Sequence, residues 1–71
     1  MSLNTAVIGK EYLITQIATM DSELEGFLFT LGCYKGEKLT VISRRRGGCI
    51  VAIKDGRYSI DAALAAAISV E

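Results

Sequence analysis

The residues that could do chemistry are few in this 71-residue sequence. Two cysteines, Cys33 and Cys49, could supply soft thiolate ligands for iron. Two cysteines without any histidine do not complete the four ligands of a structural zinc site. Cys33 falls where a helix would end, and Cys49 begins an apolar strand. We therefore expect both thiols to pack in the core rather than bind a metal.

A second candidate for metal binding is the acidic cluster of Asp21, Glu23 and Glu25. These residues stand where a helix is predicted to begin. Ser22 and Glu25 have the spacing of a capping box, and acidic side chains favour the positive helix terminus. We interpret the acids as helix-starting residues and predict no metal site. Without a histidine or a phosphate-binding P-loop, the chain is predicted to have no catalytic residues and no cofactor.

Two features could bind a partner protein. Arg44, Arg45 and Arg46 are consecutive in a predicted loop, and guanidinium groups make bidentate contacts with carboxylates and phosphates. Phe29 lies off the apolar stripe of the predicted helix, beside the gap left by Gly26. An exposed aromatic side chain there would anchor an interface. The alternatives are that the arginines form a solvated hairpin tip and that a neighbouring loop covers Phe29.

Charge and composition limit the possible classes of protein. Eight basic and eight acidic residues give a formal net charge of zero, which argues against a global attraction to nucleic acid or an acidic membrane. The apolar fraction of 51% argues against disorder. The start of the chain lacks the features of a signal peptide, and no uncharged run approaches the roughly 20 residues that span a bilayer. We expect one cytoplasmic domain, 1–71, with reduced thiols.

The elements that would position these residues follow from the spacing of apolar side chains. One helix is predicted from Ser22, with an apolar stripe of Leu24, Phe27, Leu28 and Leu31. Strands are predicted at 12–17, 37–43, 49–54, 57–60 and 68–70, with a helical turn at 62–66. This order predicts a mainly β fold, a small, five-stranded, partly open SH3-like barrel with one inserted helix.

Four residues are predicted to form the turns between these elements. Gly32 would end the helix in the left-handed conformation, which costs a residue with a side chain more. Gly36 would take a positive φ in the turn before the second strand. Asp55 and Gly56 would form the two-residue turn of the last hairpin.

The sequence from Leu28 to Ile42 resembles the central motif of the ferrous iron transport protein A (FeoA) family. That motif is a helix ending in Leu-Gly, a short turn ending in Gly, and an apolar strand. The strand from Ile50 to Ile53 and the ending from Ala63 to Val70 are also similar. The chain departs from the family at Lys35, where proline is common, and in the loop from Arg44 to Arg46, which often carries a proline and an acidic residue.

The resemblance implies a small, non-enzymatic cytoplasmic accessory protein of ferrous iron import. Such proteins bind the GTPase-bearing cytoplasmic part of a membrane transporter, and we predict that Phe29, Arg44, Arg45 and Arg46 make that contact. The protein would then be peripheral to the membrane only through its partner. Two alternatives stay open, an SH3-like module that binds nucleic acid and a protein that binds iron directly.

Overall fold

The fold is a five-stranded antiparallel sheet with a helix inserted after the first strand. A computed structural model describes all 71 residues. After a 3-10 turn at Leu3–Thr5, the elements are β1 (Glu11–Ile17), α1 (Ser22–Thr30), β2 (Lys38–Arg45), β3 (Gly48–Ile53), β4 (Gly56–Asp61), α2 (Ala62–Ala67) and β5 (Ile68–Val70). The strands lie side by side in the order β4-β3-β2-β1-β5. The predicted mainly β, SH3-like architecture with one inserted helix is confirmed.

The core is built from the residues that alternate along the strands. In β1, Tyr12 and Ile14 are buried, while Leu13 between them is on the outer face. In β2 and β3 the same alternation buries Leu39 and Val51. No polar or charged residue is buried with them. Each fully buried aliphatic side chain stabilises the fold by about 1.5–3 kcal/mol, so this single cluster supplies most of the driving force. The cluster comprises Leu3, Ala6, Tyr12, Ile14, Leu28, Cys33, Leu39, Val41, Cys49, Val51, Ile53, Ile60, Ala65, Ile68 and Val70.

The start of α1 differs from the predicted capping box. The N-cap is Asp21, whose carboxylate oxygen accepts hydrogen bonds from the backbone N–H groups of Glu23 and Leu24, at 3.0 and 3.2 Å. Ser22 is the first helical residue, so the predicted box of Ser22 and Glu25 is wrong. A carboxylate is a stronger acceptor than a hydroxyl and is also favoured by the helix dipole, which explains the choice of Asp21.

The buried side of α1 is narrower than predicted. Leu28 is fully buried, and Leu24 and Leu31 are partly buried on the same line. With 100° of rotation per residue, Phe27 lies about 70° around the helix from the line of these three leucines. Its side chain is 57% exposed, so its predicted place in the apolar stripe is wrong. Only one row of the helix touches the core, because α1 rests against the sheet on one side and faces solvent on the others.

Gly32 and Gly36 take the predicted conformations, with φ of +87° and +95°. The N–H of Cys33 donates to the carbonyl of Leu28 at 2.9 Å, and the N–H of Gly32 donates to that of Phe29 at 3.0 Å. This pair of bonds is the Schellman motif, which satisfies the last carbonyls of the helix. Both glycines therefore have the left-handed backbone that the end of the helix and the following turn require.

The turn between β3 and β4 lies one residue earlier than predicted. Its central residues are Lys54 and Asp55, and Gly56 is already the first residue of β4. Lys54, not Gly56, has the positive φ, at +53°. This register ends β4 at Asp61, whose carboxylate accepts a hydrogen bond at 2.7 Å at the start of α2. Pairing along the whole hairpin, rather than local turn preference, thus sets the turn.

We predict that Gly32→Val destabilises the protein by more than about 1 kcal/mol, because a β-branched residue resists the left-handed conformation. A Cβ atom at Gly32 would also lie only 3.2 Å from Cδ of Lys54. Chemical denaturation measures the change in the free energy of unfolding. The matched control is Gly26→Ala in the same segment, where nothing lies within 4 Å of an added Cβ. It should be neutral or stabilising, and an equal loss in both variants would contradict the prediction.

Candidate partner-binding surface

The most exposed part of α1 carries an aromatic pair. The side chain of Phe29 is 64% exposed, so no loop covers it. Its ring lies 4.9 Å from that of Tyr34, measured between centroids, at an interplanar angle of 32°. We call Phe29 and Tyr34 the aromatic ridge. The Schellman turn between them brings the two rings together, since it reverses the chain directly after the helix.

The aromatic ridge separates two open clefts. The first, of about 500 Å³, lies between the ridge and the β3–β4 turn, and Tyr58 forms part of its wall. The second, of about 580 Å³, lies between the ridge and the end of β1. Gly26 lines this second cleft, as expected for a gap beside Phe29. A partner that covers the ridge could therefore fill space on both sides of it, and the second cleft is the more apolar of the two.

Lys54 fixes the ridge to the sheet. Its ammonium group donates a hydrogen bond to the hydroxyl of Tyr34 at 3.0 Å and lies 3.8 Å from a carboxylate oxygen of Glu37. The bond to Tyr34, helped by the charge of Glu37, stabilises the charged form of Lys54 and raises its pKa. A left-handed backbone at a lysine is uncommon and costs free energy. The contacts made by its side chain offset part of that cost.

The three arginines do not form one loop. Arg44 and Arg45 belong to β2, and only Arg46 lies in the two-residue turn with Gly47. The guanidinium of Arg44 donates hydrogen bonds to the carbonyl of Leu3, at 3.1 Å, and to that of Ala6. Arg44 therefore holds the N-terminal segment against the sheet, which corrects its predicted place in a docking loop. Arg45 and Arg46 are exposed and form no ion pair.

The ridge and the arginines lie at opposite ends of β3. The ridge faces Lys54 and Asp55 just after this strand, and Arg46 lies just before it. Six residues of extended chain separate the two ends by about 17 Å. The structure therefore does not bring Phe29 and the arginines into one small patch.

Both cysteines are free and buried. Burial raises the pKa of the Cys33 thiol from 9.0 to about 11. Burial also raises the pKa of Cys49, and the charge of Arg44 partly offsets this effect. A metal ligand must be a thiolate, so burial makes the loss of the proton that accompanies metal binding more costly at both sites. No group of three or more His, Cys, Asp or Glu side chains is placed to hold a metal ion.

Sequence reasoning identified Phe29 but missed two residues that shape its surroundings. Tyr34 stacks on Phe29, and Lys54 bonds to Tyr34 across 20 residues of sequence. Neither residue carries a local signal, because the contact exists only when the β3–β4 turn folds against the end of α1. The aromatic spacing of Phe29 and Tyr34 around a helix-ending glycine is the one pattern that could have suggested their pairing.

The architecture defines an SH3-like domain, and solved structures share it. The solution structure of iron(II) transport protein A from Clostridium thermocellum is similar over the whole of this chain, with 22% identity and a TM-score of 0.90. The chain spans 44% of that protein. The crystal structure of an iron uptake regulatory protein (FeoA) is similar over the whole of this chain and 95% of that one, with 19% identity and a TM-score of 0.87.

A manganese-dependent transcriptional repressor contains a similar domain, which matches 96% of this chain and 39% of that one. Its identity is 23% and its TM-score 0.85. No curated protein sequence matches the chain. The sequence model of the FeoA domain matches residues 1–71. The chain therefore belongs to the FeoA domain family, a family of small accessory domains linked to ferrous iron transport.

None of the helices could cross a membrane, since none is both long and apolar enough.

We predict that stability falls at alkaline pH in a way that depends on Cys33. The folded pKa of about 11 lies above the ordinary value of 9.0, so the unfolded chain loses its thiol proton first as the pH rises. The contribution of Cys33 is complete below pH 9.0 and is lost as the pH approaches about 11. We expect the free energy of unfolding to fall by up to about 2 kcal/mol over this range.

Denaturant titrations of the unmodified protein and of Cys33→Ala at matched pH values test this expectation. The variant should show a shallower alkaline decline, because it lacks the buried thiol whose ionisation opposes folding. Parallel declines would show that Cys33 does not carry the effect.

Proposed function

We propose that this protein assists ferrous iron import without catalysis of its own, by binding the GTPase-bearing cytoplasmic part of a ferrous iron transporter. Membership of the FeoA domain family supports the link to iron transport. The aromatic ridge is the docking surface in this proposal. The partner and the contact residues are inferences from the family and from the exposed side chains.

The observation that carries the proposal is an aromatic side chain that is exposed yet fixed. Phe29 offers its ring to solvent, but its stacking on Tyr34 limits its freedom before any partner arrives. Ordering a mobile side chain at an interface costs about 0.5–1.5 kcal/mol, and a preorganised ring avoids much of that cost. Aromatic anchors beside pockets are typical of the residues that dominate binding energy.

The two clefts give the partner surface a polar rim. Glu25 and Lys35 line the second cleft and form no ion pair with each other. Asp55 lines the first cleft and is also without an ion-pair partner. These charges can pair with groups on the partner and fix the orientation in which it covers the ridge.

Arg45 and Arg46 have a separate role in the proposal. They are exposed at the end of β3 that lies away from the ridge, and this strand is about 17 Å long. Charges this far from an anchor act mainly by attracting acidic groups of the partner while the two proteins approach each other. Salt screens this attraction and limits the distance over which it acts. Arg44 is excluded from this role because its guanidinium is bonded within the chain.

We predict that Phe29→Ala weakens binding to the isolated cytoplasmic domain of the transporter by at least about 1–2 kcal/mol, mainly through faster dissociation. Surface plasmon resonance or stopped-flow kinetics measures both rate constants. Phe27→Ala is the matched control, because Phe27 is 57% exposed on the same helix but lines neither cleft. Equal effects of the two substitutions would remove the ridge from the interface.

We predict that replacing Arg45 and Arg46 together with serine slows association and makes it less sensitive to salt, with little change in dissociation. Association rates measured over a range of salt concentrations report the effect. Arg44→Ser serves as the contrasting variant, since it should lower thermal stability instead, through loss of the bonds to Leu3 and Ala6. An unchanged salt slope in the double variant would assign no steering role to these arginines.

A further inference from the structure

The two edges of the sheet differ in their exposure to partners. The outer edge of β5 is covered by the start of the chain, since Val70 N–H donates to the carbonyl of Met1 at 2.8 Å and Ser2 bridges Ser69. The other edge is β4, which pairs only with β3. No hydrogen bond outside that pairing involves the backbone of 56–60. A free edge of this kind is a template for another strand.

The outward-facing side chains of β4 have a self-complementary order. Arg57, Ser59 and Asp61 alternate with inward-facing residues and are all exposed. Gly56 pairs with Ile53 next to the two-residue turn, so the backbone groups of alternate residues bond to β3. The N–H and C=O groups of Arg57 and Ser59 then point away from the sheet. The charges at positions 57 and 61 are opposite and stand at equal distances from Ser59.

We propose that two copies of this chain associate by antiparallel pairing of their β4 strands, with Ser59 on the twofold axis. Arg57 of each copy then lies directly opposite Asp61 of the other. The hydrogen-bonded pairs of this arrangement fall on the alternate residues whose backbone groups face outward, so it continues the sheet across the two copies in a regular antiparallel pattern. An isologous contact of this kind closes after two copies.

The charges are free to make these contacts. Arg57 forms no ion pair within the chain. One carboxylate oxygen of Asp61 accepts the N–H of Leu64, which leaves the second oxygen for a guanidinium. Opposite charges directly across two strands stabilise the pair by about 0.2–1 kcal/mol, and like charges destabilise it. The twofold axis doubles both effects. The interface contains neither Phe29 nor Tyr34 and does not depend on the proposed function.

Two charge reversals and their mixture test the proposal. In a dimer of Arg57→Asp, both pairs of positions 57 and 61 across the axis consist of two acidic side chains. In a dimer of Asp61→Arg, both pairs consist of two basic side chains. Each variant alone should dimerise at least roughly tenfold more weakly than the unmodified protein. An equimolar mixture should regain the dimer, since each pair across the axis is again of opposite charge. Sedimentation equilibrium up to about 1 mM protein measures the association.

Two further variants separate the strand edge from general effects of charge and of folding. Arg46→Asp makes the same charge change on the β2–β3 turn and should leave dimerisation unchanged. Ser59→Pro removes an N–H that points away from β3, so the monomer should fold and the dimer should be lost. Circular dichroism checks folding in every variant, which matters most for Asp61→Arg because Asp61 caps α2.

The proposal is overturned if the unmodified protein is monomeric at every concentration or if the mixed variants do not associate. It is also overturned if Arg46→Asp weakens the dimer as much as Arg57→Asp does. If the protein is monomeric and Ser59→Pro abolishes its binding to the transporter domain, the β4 edge pairs with a strand of the transporter instead.

Discussion

The approach of the Lys54 side chain to Gly32 is the contact on which the candidate surface depends. Because Gly32 has no Cβ, the aliphatic part of Lys54 can lie against the end of the helix, and its ammonium reaches Tyr34. Only Leu28 of α1 is fully buried, so apolar packing holds the helix to the sheet along only a short part of its length. The same glycine thus ends the helix, admits the lysine and sets the position of the aromatic ridge.

Polar contacts at the rim complete a small apolar core. The core contains no buried polar residue, so the hydrogen bonds that hold the peripheral segments lie at its edges. Arg44 bonds to carbonyls of the N-terminal segment, and Asp21 and Asp61 cap the two helices. A domain of 71 residues buries a modest share of its surface, and such contacts supply several small increments of stability.

Because different proteins share this fold, their functions depend on the side chains at the surface. Proteins named for iron(II) transport and for manganese-dependent repression have this architecture at 22% and 23% identity to the chain. A common core therefore does not distinguish their activities. What differs from one to another is the set of exposed side chains. In this chain these include a fixed aromatic ridge between two clefts and a free strand edge with alternating charges.

The sequence by itself determined the order of elements and the left-handed glycines, because helical and alternating spacing and glycine conformations are local properties. It placed Phe29 off the apolar stripe but left open whether a loop covers the ring, which is exposed in the structure. Only the tertiary structure decided which residues form the last hairpin turn, where register along β3 and β4 overrode the Asp55–Gly56 signal. It also decided that Arg44 lies in β2 and bonds to carbonyls within the chain, and that Lys54 bonds to Tyr34. These contacts link residues 20 to 41 positions apart, and no local pattern encodes them.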